Sequence, residues 1–101
     1  MGIDVVLEDV DRKAIQECHD PKQLFAHFLR DRDLSATSCL RFIDAFGDTV
    51  FNRAQAAVLV DELGAARVDA DGETRKYIDN AIRLARLASR KPHLYVRFVG
   101  D

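Results

Sequence analysis

The sequence lacks the segments that would place a chain in or across a membrane. Its longest uninterrupted apolar run, Ala56–Val60, has five residues, whereas a spanning helix needs about 20. The N-terminus has no basic stretch followed by an apolar one, so we expect no secretory signal peptide. Gly2 does not begin a myristoylation motif, because Val6 stands where that motif requires serine or threonine. These absences predict a cytoplasmic protein without a membrane partner.

Catalytic and metal-binding motifs are also absent. Cys18 and Cys39 form no CxxC pair, and the histidines have none of the spacings of a zinc site. In a cytoplasmic chain we expect both thiols to be reduced, buried and unreactive. Segment 69–72 resembles part of a calcium loop, but Arg67 and Ile78 would then take ligand positions that neither can fill. The sequence therefore predicts no metal, no cofactor, no catalytic residue and no enzyme activity.

The composition is typical of a single globular domain spanning residues 1–101. Apolar residues make up 48% of the chain and charged residues 32%, with a formal net charge of −2. This apolar content is too high for a disordered chain. A chain of this length buries enough surface to fold without disulfides or metals, and chains divide into domains only when they are longer.

The spacing of apolar residues predicts about four helices, preceded by a brief helical segment at Asp11–Cys18. They are a helix started by Asp20 and Pro21, one from Ser35 to Gly47, one from Arg53 to Leu63 and one from Glu73 to Ser89. In the second of these, Cys39, Leu40, Ile43 and Phe46 share the predicted inner face. Asn52 is the expected N-cap of the third, and Gly64 its expected end.

Two short segments at the chain ends alternate in the manner of strands. Residues 3–8 are β-branched and partly alternating, and residues 93–99 place Leu94, Val96 and Phe98 on one side. A lone strand leaves its backbone groups unpaired, so we expect the two segments to pair with each other. The predicted fold is therefore α+β and mostly α, with the helices packed against a two-stranded sheet formed by the N- and C-terminal strands.

The predicted Arg53–Leu63 helix is apolar nearly all round. A helix with so little polar surface is either central in the core or covered by a partner. We favour the central position for a small domain, and keep coverage by a partner as the alternative.

A polar cluster, formed by Gly47, Asp48 and Thr49 with Asn52 and Arg53, separates two apolar helices. Turn and capping chemistry explains it adequately, but Asp48 and Arg53 are also candidates for a contact surface on a rigid turn. For binding to a protein partner, the candidate contact residues are Asp44, Asp48, Arg53, Asp61 and Glu62.

Charge is distributed unevenly along the chain. Residues 1–20 hold six acids and two bases, whereas residues 75–98 hold seven bases and one acid. Clustered bases on one face are the mark of nucleic-acid binding, and the candidates are Arg83, Arg86, Arg90, Lys91 and Arg97. The competing interpretation is a solvated helix face that the acidic N-terminal segment partly neutralises, and we favour it. Nucleic acid is therefore the less favoured partner.

Two stretches carry a resemblance to known proteins. The run FGDTVFNR at residues 46–53 and the ending HLYVRFVGD at residues 93–101 resemble those of a group of small bacterial proteins of about this length that have no assigned function. The resemblance covers most of the chain. It implies a bacterial, cytoplasmic, stand-alone domain and implies no activity, so no functional residue is carried over from it.

The sequence thus predicts a non-enzymatic, protein-binding domain that acts as a regulator, an adaptor or an immunity-type inhibitor. Such proteins act by surface complementarity and need no catalytic constellation. Two alternatives stay open. One is a nucleic-acid-binding protein that uses the basic C-terminal helix. The other is a homodimer closed by the apolar third helix or by the edge of the C-terminal strand.

Overall fold

Four strands and three α-helices follow one another along residues 2–100, the part of the chain that the computed structural model describes. In chain order they are β1 (Asp4–Asp9), β2 (Ala14–Cys18), α1 (Leu24–Arg30), β3 (Asp48–Phe51), α2 (Arg53–Arg67), α3 (Gly72–Arg90) and β4 (Leu94–Val99). A single 3₁₀ turn, Leu40–Phe42, interrupts the long connection between α1 and β3.

The strands form one antiparallel sheet in the order β2-β1-β4-β3. The central pair joins the two ends of the chain, with Val5 opposite Phe98 and Leu7 opposite Val96. Strand β2 pairs with the outer side of β1, and β3 with the outer side of β4. The sheet therefore places residues that are far apart in sequence next to each other, and β4 has a neighbour on both sides.

The predicted fold, with about four helices and a two-stranded sheet, is wrong: the protein is α+β with three helices and a four-stranded sheet. Segment 11–18, predicted as helix, closes a hairpin and continues into β2. The Asp9 carboxylate accepts hydrogen bonds from the backbone N–H groups of Asp11 and Lys13, at 2.9 and 3.0 Å, which stabilises the hairpin turn. Residues 48–51, predicted as turn, form the edge strand β3.

The helix predicted from Ser35 to Gly47 is also wrong, since only Leu40–Phe42 is helical there and the rest is irregular. Gly47 does not end a helix. Its carbonyl accepts a hydrogen bond of 2.8 Å from the Gly100 N–H, beside the paired residues Asp48 and Val99. A backbone partner far along the chain, which local periodicity cannot reveal, thus determines the conformation here.

The other helices follow local signals more closely. Asn52 caps α2 in a capping box with Gln55, as the sequence predicts for the N-cap. The helix continues through Gly64 to Arg67, because one interior glycine costs only about 1 kcal/mol. Helix α3 matches its predicted range to one residue at each end. Helix α1 begins four residues after Asp20, whose carboxylate accepts hydrogen bonds from the Phe25 and Ala26 N–H groups.

All three helices pack on one face of the sheet. Val5, Leu7, Val96 and Phe98 point into this layer and are buried, because alternate strand residues share a face. The intervening residues of each strand point to the other side of the sheet, which no helix covers. We call this side the open sheet face; it is formed by Val6, Glu8, Glu17, Asp48, Val50, Tyr95, Arg97 and Val99. No helix in residues 2–100 is both long enough and apolar enough to cross a bilayer.

Helix α2 does not occupy the centre of the core, so the interpretation we favoured for it is wrong. It buries one stripe, formed by Ala56, Leu59, Leu63 and Ala66. Its outer face, with Ala54, Ala57, Val58 and Ala65, is exposed. Alanine fits either environment, and this explains why the segment has little polar character without being buried all round.

Candidate functional site

Two phenylalanine rings point into solvent from the connection between α1 and β3. Phe42 is 59% exposed and Phe46 is 84% exposed. We call residues 41–47 the aromatic loop. Val50, on the edge strand that follows, is also exposed at 44%. Neighbouring large apolar groups left in water mark a contact surface more often than isolated ones do, so this loop is the first candidate site.

Hydrogen bonds to the sheet fix the aromatic loop. The Asp44 N–H donates to Thr49 Oγ1 at 3.0 Å, and the Phe46 N–H donates to Asp44 Oδ1 at 2.8 Å. At Gly100, a Cβ would clash with the backbone of Asp44 and Ala45, so only glycine permits this close approach. The loop therefore presents its two rings on a defined backbone.

Glu62 anchors the segment that leads into the loop. Its carboxylate on α2 accepts hydrogen bonds from the N–H groups of Cys39 and Leu40 at 2.9 and 3.0 Å, and a third from Ser38. Burial alone would raise the pKa of Glu62, but these backbone donors outweigh burial and lower its pKa. Glu62, a candidate contact residue from the sequence, therefore has its carboxylate engaged within the fold.

Asp48 is engaged on the open sheet face. Arg97 donates to both carboxylate oxygens of Glu8 at 2.9–3.1 Å and to Asp48 Oδ2 at 2.9 Å. The Arg97 side chain is only 13% exposed. Its hydrogen bond to Glu8 is the main cause of its raised pKa. This ion network connects β1, β4 and β3, so Arg97 is not free to bind a nucleic acid as the sequence proposed.

The remaining candidate contact residues lie in separate places. Asp44 is in the aromatic loop, Arg53 is the first residue of α2, and Asp61 is exposed on that helix. The five residues proposed from the sequence therefore do not form one cluster. Of the five, only Asp44 and Asp48 belong to the segment formed by the aromatic loop and the edge strand that follows it.

Phe42 and Phe46 were not among the site residues predicted from the sequence. Phe46 was predicted on the inner face of a helix from Ser35 to Gly47, a segment in which only Leu40–Phe42 is helical. One signal was present: Phe42 is out of step with Cys39, Leu40 and Ile43, and Phe46 stands directly before Gly47 and Asp48, a turn-forming pair. An aromatic residue beside such a pair is well placed to lie outside the core.

The outer face of α3 carries the other proposed surface. Arg83, Arg86, Arg90 and Lys91 are exposed there, together with Lys76. Arg97 lies on the opposite layer of the molecule, so the structure divides the five basic candidates into four that share a region and one that does not. Arg83 donates to Gln16 of β2, a neutral partner that leaves its charge uncompensated.

A groove of about 260 Å³ holds the groups closest to catalytic chemistry, Cys18 and His19. His19 Nδ1 lies 3.0 Å from Asp4 Oδ2, and this hydrogen bond raises the pKa of His19. Burial raises the pKa of the Cys18 thiol, and burial likewise raises that of Cys39. A nucleophilic cysteine needs a lowered pKa, so neither thiol is activated. Within residues 2–100 no three His, Cys, Asp or Glu side chains are placed to hold a metal ion.

A second groove, of about 440 Å³, lies beside the end of β4. Its two carboxylates are already hydrogen-bonded: Asp4 accepts from the Asp20 N–H, and Asp20 accepts from the Ile3 N–H. These groups hold the N-terminal segment against α1, which leaves the groove without a free catalytic group.

Comparison with known proteins does not indicate a function for this site. No protein-family model matches the chain, and no curated protein or solved structure matches it either. Function is therefore inferred from the geometry of this chain alone, in which Phe46 is the most exposed of the large apolar side chains.

Proposed function

We propose that this protein is a non-enzymatic, protein-binding domain whose contact surface is centred on the aromatic loop. The observation that carries the proposal is the exposure of Phe42 and Phe46 on a backbone that Thr49 and Gly100 hold in place. A few large side chains supply most of the binding energy in protein interfaces. Two exposed rings on one short loop, with charged residues in the same segment, have the composition of such a centre.

Rigidity supports the same conclusion. A loop that is already ordered loses less conformational entropy when it binds, so more of the contact energy appears as affinity. Arg41 lies with its guanidinium carbon 4.7 Å from the centre of the Phe42 ring, and Asp44 belongs to the same loop. These charges are placed to select a partner and to orient it, which is their usual contribution at an interface.

Within this class we propose a regulator, an adaptor or an immunity-type inhibitor, since each acts by covering a surface of its target. A cytoplasmic location is part of the proposal. Cys18 and Cys39 are both free thiols, a state that a reducing compartment maintains.

The experiment compares three forms of the protein as baits in extracts of the source cells. The first is the wild type and the second is Phe42→Ser with Phe46→Ser. The third is a matched control, Val10→Ser with Val68→Ser, which removes apolar side chains that are 54% and 72% exposed and lie outside the loop. Quantitative mass spectrometry identifies what each bait retains, and calorimetry then measures the affinity of the purified partner.

We expect one protein to be retained by the wild type and by the valine control, and to bind the phenylalanine variant at least about 30-fold more weakly, which corresponds to the ~2 kcal/mol typical of a hot spot. Both rings are exposed, so thermal unfolding of the variant should match that of the wild type. Retention of the same proteins by all three baits would contradict the proposal.

A homodimer is the second proposal, because α2 leaves Ala54, Ala57 and Val58 exposed. The version closed by the edge of the C-terminal strand is wrong, since β4 lies between β1 and β3. Light scattering over a range of concentrations tests the α2 version, with Val58→Asp as the variant that should dissociate a dimer. A molecular mass that stays at that of one chain at every concentration would exclude it.

A further inference from the structure

We propose that the outer face of α3 binds the phosphate backbone of duplex nucleic acid, independently of the aromatic loop. Lys76, Arg83, Arg86 and Arg90 are exposed and share the side of α3 opposite its buried stripe. We call these four residues the basic row. At a rise of about 1.5 Å per residue the row is about 21 Å long, and Lys91 extends it at the C-terminal end.

The basic row forms no ion pair among the residues that the structure describes. No carboxylate of residues 2–100 lies within 4.0 Å of its charged nitrogens. The acids of the same helix are paired with bases from other elements: Glu73 with Lys22, and Asp79 with Arg67. Both acids of α3 are therefore paired with bases outside the row.

The acidic N-terminal segment forms no ion pair with the basic row within residues 2–100. Glu8 binds Arg97 on the open sheet face, which is the side of the sheet away from α3. Asp9 accepts hydrogen bonds within its own hairpin turn, and Asp20 accepts hydrogen bonds from the first turn of α1. Glu17 shares the open face with Val6, its partner across the strands.

Repulsion along the row makes an anionic ligand favourable. Successive arginines from Arg83 to Arg90 are three and four residues apart on one helix face, the spacing at which like charges destabilise a helix. They lie well within the ~8 Å over which physiological salt screens charge. A linear polyanion would relieve this repulsion at several points simultaneously, and would release its own counterions.

The chemistry of this face favours a duplex over other polyanions. Asp79 and Asn80 are the other exposed residues in the middle of the face, and neither offers apolar surface. Leu87, toward the C-terminal end of the face, is half-buried against the core. An amphipathic helix needs an apolar surface to enter a bilayer, and single strands are usually held by aromatic stacking. Three of the four cations are arginines, whose planar guanidinium matches phosphate in a bidentate manner. Contacts of this kind do not depend on base sequence.

The test is fluorescence anisotropy of the full chain with labelled duplex DNA and duplex RNA of mixed sequence, from about 50 to 200 mM salt. The row variant carries Arg83→Gln, Arg86→Gln and Arg90→Gln. A matched control carries Arg30→Gln, Arg41→Gln and Arg53→Gln, which removes the same charge from exposed positions outside α3. A third form keeps the charge, with lysine in place of each row arginine.

We expect the wild type to bind with a salt slope of about −3.6, the value for four neutralised phosphates. The row variant should bind at least about 10-fold more weakly at 50 mM salt with a slope near −0.9, and the control should retain most of the affinity and the full slope. The lysine form should stay within about 3-fold of the wild type, because the electrostatic contribution is preserved.

Several results would overturn the inference. They are no binding to either duplex, equal losses in the row variant and the control, tighter binding to a single strand of the same length, or tighter binding to phosphatidylserine vesicles at equal anion concentration. Circular dichroism of each variant checks that it is folded. A difference in affinity between duplex DNA and duplex RNA identifies which of the two is the preferred ligand.

Discussion

Arg97 and the arginines of α3 belong to the same basic segment of the sequence but to opposite regions of the molecule. On the open sheet face, Arg97 is 13% exposed and bound by Glu8 and Asp48. On α3, Arg83, Arg86 and Arg90 are exposed and have no carboxylate partner among residues 2–100. Residues of one type, close together in sequence, therefore contribute to the fold in one region and remain available in the other.

The difference follows from secondary structure and burial. A strand of a sheet places alternate residues on opposite faces, so Arg97 lies beside residues of β1 and β3 that are distant in sequence. A buried guanidinium is stable only when carboxylates compensate for the water it loses. An arginine on the outer face of a helix keeps its water and needs no such partner.

Arg97→Leu gives the largest expected effect. The substitution leaves the buried Glu8 carboxylate without its counter-charge, so the free energy of unfolding should fall by about 3–5 kcal/mol. Arg86→Leu, the matched control on α3, should change it by less than about 0.5 kcal/mol. Urea denaturation followed by circular dichroism measures both. Similar values for the two variants would remove the distinction between the regions.

Glu62→Gln gives an intermediate expected effect on stability. It tests whether the Glu62 carboxylate on α2 anchors the segment that leads into the aromatic loop. The amide offers one weaker acceptor where the carboxylate serves three N–H groups, so we expect a loss of about 1–2 kcal/mol in the free energy of unfolding. The neighbouring Asp61→Asn, on the exposed side of α2, should have no measurable effect. Equal effects of the two substitutions would show that Glu62 does not anchor the loop.

The same anchor should respond to acid in a predictable direction. Because folding lowers the pKa of Glu62, its stabilisation is present above the ordinary value of 4.5 and is lost as the pH falls through the lowered pKa. The difference in stability between the wild type and Glu62→Gln should therefore become smaller as the pH falls below 4.5. A difference that stays constant or grows as the pH falls would contradict this assignment.

His19→Ala gives the smallest effect. His19 and Asp4 are both well exposed, so their pairing should stabilise the fold by only about 0.3 kcal/mol. Because the pKa of His19 is raised, this contribution is present below 6.5 and disappears as the pH rises through the raised value. Thermal unfolding at pH 5.5 and pH 8.5 measures it, with His93→Ala as the exposed control.

Local signals predicted the elements whose ends are marked in the sequence. Asn52 and Gln55 form the N-terminal box of α2, and the alternation of Leu94, Val96 and Phe98 identified β4. Segment 35–47 could not be predicted in this way. Its apolar spacing is helical, but Glu62 and Gly100, both distant in sequence, hold it in another conformation. Strand β3 is short and depends on β4 for its register.

The site was predicted less well than the fold. Asp44 and Asp48 lie in the region proposed from the sequence, because turn-forming residues tend to be exposed. Phe42 and Phe46 were missed, since an aromatic residue at helical spacing usually belongs to the core and these belong to no α-helix. The availability of Arg83, Arg86 and Arg90 could not be predicted, because it depends on where the N-terminal acids lie in space.

The central claim is that the aromatic loop and α3 are separate binding surfaces. Amide NMR of the labelled protein tests it most directly, with titrations of the captured partner and of duplex nucleic acid. The partner should shift the amides of residues 41–50 and leave those of residues 76–91 unchanged, and the duplex should do the reverse. If both ligands shift the same amides, or if neither shifts its own set, the assignment of two surfaces is wrong.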